Sequence, residues 1–311
     1  MGKNKTSKKK LNPWLKGIFI FSSVLLCIVL IGIIAIYRMF GQMEQVSVDK
    51  SDLSINYEEV QEYETHEEII NIALFGIDSD DGVTGRSDAI MVATIDAVHK
   101  KLKITSIMRD SYVNISDRGM DKINHAYAFG GPQLAIKTIN DNFGLDIEDY
   151  MSVNFTSLPI IINSLGGVEI NITDEEVSHI PGIDAPGTYN LTGEQALSYS
   201  RIRYASGNDY ARTERQRTVL NALFNKAMTL NPTEFPGLLN TILPYVQTNM
   251  GTNDVLALTT KALACSSNGL SQDRFPRDGY CEGSMIDGIF YLTFDREIVK
   301  EQMMDYIFDD K

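Results

Sequence analysis

IINIALFGIDSDDGVTGRSDAIMVATIDAVHKKLKITSIMRD, residues 69–110, decides the fold. IINIALFGID, Ile69 to Asp78, is a short apolar run with the length and β-branching of a buried strand, and AIMVATID, Ala89 to Asp96, repeats the pattern. His99-Lys100-Lys101 makes a turn into LKITSIM, Leu102 to Met108, a third strand. Beyond it, Pro132 predicts a helix opening there and running to Asn142, because a first-turn proline needs no helical N–H partner, and Gly144 stops it. YMSVNF reads as a strand, LPIIINSLGG as a helix with a glycine stop, and VEINI as another strand. Thr192 and Gln195 have capping-box spacing ahead of QALSYS. Strands interleaved with helices imply an α/β fold, an α/β/α sandwich with a central mixed β-sheet, formed by residues 68–311 as a single domain.

Toward the N-terminus the composition changes. GIFIFSSVLLCIVLIGIIAIY, residues 17–37, carries no charge over a length that crosses a bilayer core as a helix. No small-residue cleavage site follows it, which favours a retained anchor over a signal peptide. Six lysines within residues 1–16 precede it and act as a cytoplasmic basic tail, so residues beyond the span are expected outside the cell. Residues 38–67 form an acidic juxtamembrane spacer. The whole chain has a formal charge of −13, and the first forty residues hold seven basic side chains and no acid. The outer portion is therefore strongly acidic, which argues against nucleic acid as a partner. Cys27 lies in the span. Cys265 and Cys281 are left outside, either bridged or as two free thiols, since spacing alone does not establish their separation.

Against this acidic background RIRYASGNDYARTERQR, residues 201–217, concentrates five arginines opposed by only Asp209 and Glu214. In an extended segment Arg201 and Arg203 point to one face while Ile202 packs behind them. On the helix that follows, Val219, Leu220, Leu223 and Phe224 define an apolar stripe shared by Asp209, Arg212 and Gln216, with Glu214, Thr218 and Asn225 opposite. An arginine aimed at the protein body needs an anion: an internal Asp209 pair or a bound ligand. The loops after the strands add Arg86 with Asp88 and Arg109 with Asp110, at strand ends where α/β sheets place ligands. Carboxylates beside a phosphate would suit Mg²⁺. His66, His99, His125 and His179 lack metal-ligand spacing and read as surface or packing residues; no GxSxG elbow, phosphate loop or CxxC is present.

NIALFGID, GRSDAIMV, SIMRDSYV, DKINHAYAFGG, LGGVEI, LTGEQALSYSRIR and DYARTERQR, in that order, resemble the LytR-CpsA-Psr family of cell-envelope proteins. The resemblance implies a Mg²⁺-dependent phosphotransferase that moves a glycopolymer (teichoic acid, capsular or related polysaccharide) from a polyprenyl pyrophosphate carrier to peptidoglycan at the membrane, releasing polyprenyl phosphate. By position, Asp78 and Asp88 would hold the metal, with Arg86 beside them. Arg109, Lys122, Arg201, Arg203, Arg212 and Gln216 would surround the pyrophosphate, Asp209 would be a further polar member, and Asp88, Asp110 and Asp209 are the candidate bases. Met108 departs from the proline usual before Arg-Asp, and Val113 stands where some members carry arginine. A non-catalytic module that grips lipid-linked polymer and a membrane-bound transcriptional attenuator are the alternatives.

Overall fold

The computed structural model describes residue 32, residues 34–78, 85–154 and 157–202, the segments 214–216, 218–219, 222–223, 225–226 and 229–231, and residues 234–311, without the side chains of Asp78, Phe235, Pro236 and Ser266. The chain divides into Met1–Gln42 and Met43–Lys311. Of the first unit, residues 34–40 are helical; the expected span at 17–37 lies mostly outside the described residues. Among the described residues no helix is long and apolar enough to cross a membrane.

The second unit has thirteen described strands: β1 (Glu44–Gln45), β2 (Ile69–Asp78), β3 (Arg86–Asp96), β4 (Lys101–Ile107), β5 (Tyr112–Ile115), β6 (Gly119–Lys122), β7 (Asp149–Asn154), β8 (Val168–Ile172), β9 (Gly187–Leu191), β10 (Val246–Thr248), β11 (Leu270–Phe275), β12 (Cys281–Ile286) and β13 (Ile289–Phe294). Its main helices are α1 (Ile123–Phe143), α2 (Leu158–Ser164), α3 (Gly193–Ser200), α4 (Phe235–Ile242), α5 (Thr252–Cys265) and α6 (Arg296–Met304). Seven of these strands form one sheet in the order β1-β10-β7-β2-β3-β4-β11. The β7–β2 and β4–β11 pairs are parallel, whereas β2–β3 and β3–β4 are antiparallel, so the sheet is mixed, as expected.

Strand parity separates the two faces. Phe75, Ile77, Ile90 and Val92 point into a core shared with Ile136 and Ile139 of α1 and Met303 of α6. Each fully buried isoleucine there contributes about 2 kcal/mol by leaving water. The opposite face carries Leu74, Ala89, Met91, Met151 and Val153, which line an apolar cavity of about 220 Å³ roofed in part by Leu158 and Val219. The β8–β9 hairpin stands apart from the central sheet. Ile170 and Ile172 join Leu158, Ile162, Ala196, Tyr199 and Val219 in a second core.

One expectation needs adjustment. The helix assigned to Pro132–Asn142 begins at Ile123, and Gly130 and Gly131 break it internally before Pro132 restarts it. Gly131 has φ 61° and ψ −155°, a conformation open only to glycine, so a Gly-Gly-Pro sequence that reads as a helix start is a break within a longer one. Its end agrees: Gly144, at φ 69°, caps α1 through its N–H to Asn140. The capping box at Thr192 and Gln195 also forms. Cys265 and Cys281 are both free thiols.

Candidate active site

The site is assembled at the C-terminal end of β4 and the neighbouring end of the β2–β3 pair. Gly76 faces Ala89 and Ile77 faces Ser87, leaving Asp88 as the extra residue of a β-bulge. A bulge re-aims a side chain, and here it turns Asp88 into a polar cleft while Ala89, one residue on, lines the apolar cavity.

The turn Arg109-Asp110-Ser111 follows β4 and is clasped from three directions. The first N–H groups of α1 have no helical acceptors, and those of Ile123 and Asn124 donate instead to the carbonyls of Ser111 and Arg109. From the other side, Leu292 of β13 donates its N–H to the Asp110 carbonyl at 2.8 Å. The β5–β6 hairpin then delivers Lys122, paired in register with Tyr112, to the same place. Val113 of this hairpin is buried in the core, so it brings no charge to the cleft. Met108 uses the N–H that a proline would lack to bond the Phe275 carbonyl of β11 at 3.0 Å.

The resulting cleft, about 420 Å³, is lined by Gly85, Arg86, Asp88, Arg109, Asp110, Lys122, Asn124 and His125. Charges alternate along its wall. Arg109 Nη1 lies 3.0 Å from Asp88 Oδ1, Arg109 Nε 3.3 Å from Asp110 Oδ2, and Lys122 Nζ 2.5 Å from Asp110 Oδ1. Lys122 also lies over the Tyr291 ring, 5.7 Å from its centroid. Asn124 donates to Asp88 at 3.4 Å, while its buried Oδ1 has no hydrogen-bond partner among the described residues. Arg86 is exposed at the start of β3.

Of the residues expected to form the site, Arg86, Asp88, Arg109, Asp110 and Lys122 therefore converge. Asp78 pairs with Arg86 through the backbone, which places it at the same end of the β2–β3 pair. Gln216 lines the apolar cavity with Ser200 and Asn154 rather than the charged cleft. Arg201 is exposed at the C-cap of α3 and is not among the cleft-lining residues. Arg203, Asp209 and Arg212 fall outside the described residues. Within the same arginine run, Arg215 is buried, with its Nε 2.6 Å from Glu176 Oε1, and serves the second core.

Sequence reasoning passed over Asn124, Asp121 and Tyr291, and gave His125 only a surface or packing role. His125 Nδ1 is 2.8 Å from Asp121 Oδ2, and Tyr291 OH donates to Asp121 Oδ1 at 3.4 Å. Burial opposes the Asp121 charge, but hydrogen bonds from His125 and the Lys122 amide outweigh it and hold the carboxyl below its ordinary range. The available signal was an Asp four residues ahead of a His across a helix start. Among the described residues no group of three His, Cys, Asp or Glu side chains is set to hold a metal.

These features agree with similarities across the whole chain. An Enterococcus faecalis protein named polyisoprenyl-teichoic acid–peptidoglycan teichoic acid transferase TagU is 35% identical over 239 residues, covering 75% of this chain and 77% of its own. An Oceanobacillus iheyensis protein of the same name is 33% identical over 310 residues, covering 95% and 93%. Among solved structures, TagT bound to LI-WTA superposes with a TM-score of 0.68 at 26% identity, covering 85% of this chain and all of that one. The LytR-CPS2A-psr family protein YwtF (TagT) with bound octaprenyl pyrophosphate lipid gives a TM-score of 0.64 at 25% identity and the same coverage. With the LytR_cpsA_psr family model matching residues 37–306, across the mixed sheet, the apolar cavity and the charged cleft, the chain belongs to that family.

Proposed function

We propose that the protein transfers a teichoic-acid-type glycopolymer from a polyprenyl pyrophosphate carrier to peptidoglycan and releases polyprenyl phosphate. The observation that carries this reading is the bulge in β3. One residue separates an apolar cavity, entered by Ala89, from a cleft of arginine, lysine and carboxylate, entered by Asp88. Such a pair of compartments fits an amphiphile with an isoprenoid tail and an anionic head.

In this reading the tail lies against Leu74, Met91, Met151 and Val153, and the pyrophosphate reaches Arg86, Arg109 and Lys122. Charge grows on bridging and terminal oxygens as the P–O bond breaks, and cations already held in place stabilise it without reorganisation. Asp110 performs that holding, since its two oxygens engage Arg109 and Lys122. Arginine suits the task because its planar fork grips two oxygens and keeps its charge. Magnesium bound by Asp78 and Asp88 would supply a Lewis acid to the phosphoryl oxygens. The family resemblance supports extending the arginine set to Arg201, Arg203 and Arg212, with Asp209 beside them. The uncharged stretch at 17–37 and its lysine-rich flank support a single-pass membrane protein with the cleft outside the cell.

The test uses full-length protein in detergent, a polyprenyl-pyrophosphate oligosaccharide and peptidoglycan, with and without a chelator. The expected result is metal-dependent release of polyprenyl monophosphate matched by labelling of the acceptor. Tight binding without release would overturn the transferase and leave a lipid-polymer grip.

A further inference from the structure

We propose that His125 is the general base that accepts the proton of the attacking peptidoglycan hydroxyl, with Asp121 holding its imidazole in position; this assignment rests on the transfer reaction above. His125 lines the charged cleft and retains about a fifth of its side-chain exposure, enough to meet an incoming sugar. Its Nδ1 is turned to Asp121 Oδ2 at 2.8 Å. A carboxylate only accepts, so that contact places the proton on Nδ1 and leaves the Nε2 lone pair as the ring's basic site. Asp121 is itself fixed: the Lys122 N–H donates to its Oδ1 at 2.8 Å, and Tyr291 OH reaches the same oxygen at 3.4 Å.

The other acids of the cleft are poorly placed for this role. Asp88 is engaged by Arg109 and Asn124, and Asp110 by Arg109 and Lys122. Their oxygens are thus already committed to neighbouring donors. The charged groups around the His125 ring come from several elements: Arg86 and Asp88 from β3, Arg109 and Asp110 after β4, and Asp121 and Lys122 at the end of β6. Phe129, covered by Arg118, closes the remaining side with its ring 5.8 Å away.

The step balances without another reactant. The acceptor oxygen forms a bond to the polymer-bearing phosphorus, and the bond from that phosphorus to the bridging oxygen breaks. The electron pair stays on the bridging oxygen, which becomes a terminal oxygen of polyprenyl phosphate. The hydroxyl proton moves to His125 Nε2 and then to solvent.

The experiment measures release of polyprenyl monophosphate by the full-length protein for wild type, His125→Gln, His125→Ala and Asp121→Asn, with melting curves for each. A positioned base contributes on the order of 100-fold or more, so His125→Gln should lose about that factor in kcat with KM for the lipid substrate unchanged. Asp121→Asn should lower kcat in the same direction, because a neutral amide accepts more weakly from the Nδ1–H and holds the ring less firmly. Free imidazole should restore activity to His125→Ala, a result that a merely structural histidine would not produce. A folded His125→Gln variant within about threefold of wild type overturns the assignment while leaving the transferase standing. A wild type that releases no polyprenyl monophosphate overturns both.

Discussion

Arg109 touches both Asp88 and Asp110, and so ties the β3 bulge to the turn after β4. Arg109→Ala removes one preorganised donor from the place where charge develops, and is expected to lower transfer by roughly 100-fold. Arg109→Lys keeps the charge but not the fork, and should recover only part of the loss. Rates of polyprenyl monophosphate release, read beside melting temperatures, check both. At this scale much of the site was visible beforehand. Arg-Asp pairs after apolar runs announce strand ends, and Arg86, Asp88, Arg109 and Asp110 meet there. The role of Arg215 was hidden because its partner, Glu176, lies on a distant turn whose approach no helical periodicity reveals. The Asp121–His125 pair was hidden for a different reason: the helix that joins them starts at Ile123, where Lys122 offers no side-chain cap.

The elements show where sequence patterns run out. β2 and β3 were legible because each is largely buried and reads as a near-continuous apolar run, and β4 because Leu102, Ile104 and Ile107 follow the turn at His99-Lys100-Lys101. β11, LSQDRF, is half-exposed at the sheet edge, and β12, CEGSMI, has no apolar alternation, so neither stands out. VEINI was recognised as a strand, but a strand does not state its partner, and it pairs in a separate hairpin with β9. Within α1, Gly131 holds the break by its backbone angles alone, since a Cβ there would meet nothing within 4 Å. Gly131→Ala should therefore destabilise the protein by about 1–3 kcal/mol through conformational strain, measurable by denaturant titration. Lys103 of β4 is buried, with Nζ 2.8 Å from Asp96 and 3.3 Å from Asp310. Burial works against the Asp96 charge, but the His99 amide and Lys103 overcome it and depress the carboxyl. A depressed carboxyl stabilises above its unfolded value, 3.8, and loses that contribution as pH falls through the folded one. Asp96→Asn should cost about 3 kcal/mol at pH 7 and flatten the acid side of the stability curve.

Across the whole molecule, the sheet is sealed on one face by α1 and α6 and hollow on the other. No residue pattern distinguishes a cavity-lining Met151 from a core-packing one. Val153→Trp should fill the 220 Å³ space with little change in melting temperature. It should weaken binding of long-chain polyprenyl pyrophosphate by about tenfold while sparing a short-chain analogue that engages only the cleft, a contrast worth about 1.4 kcal/mol. Equal binding of both chain lengths by the variant would remove the cavity from the lipid site.

The sealed face has a consequence for how the molecule comes into being. Lys103 also donates to the carbonyls of Tyr306 and Ile307, Thr65 donates to the carbonyl of Phe308, and Lys300 reaches Glu59, contacts spanning more than 200 residues of chain. Loops of that length close late, because their entropy is spent before any contact rewards it. A nascent chain halted before residue 300 holds β4 with a lysine facing an apolar seam and no counter-charge from Asp310. Folding to completion thus waits for the last stretch to return to the first strands.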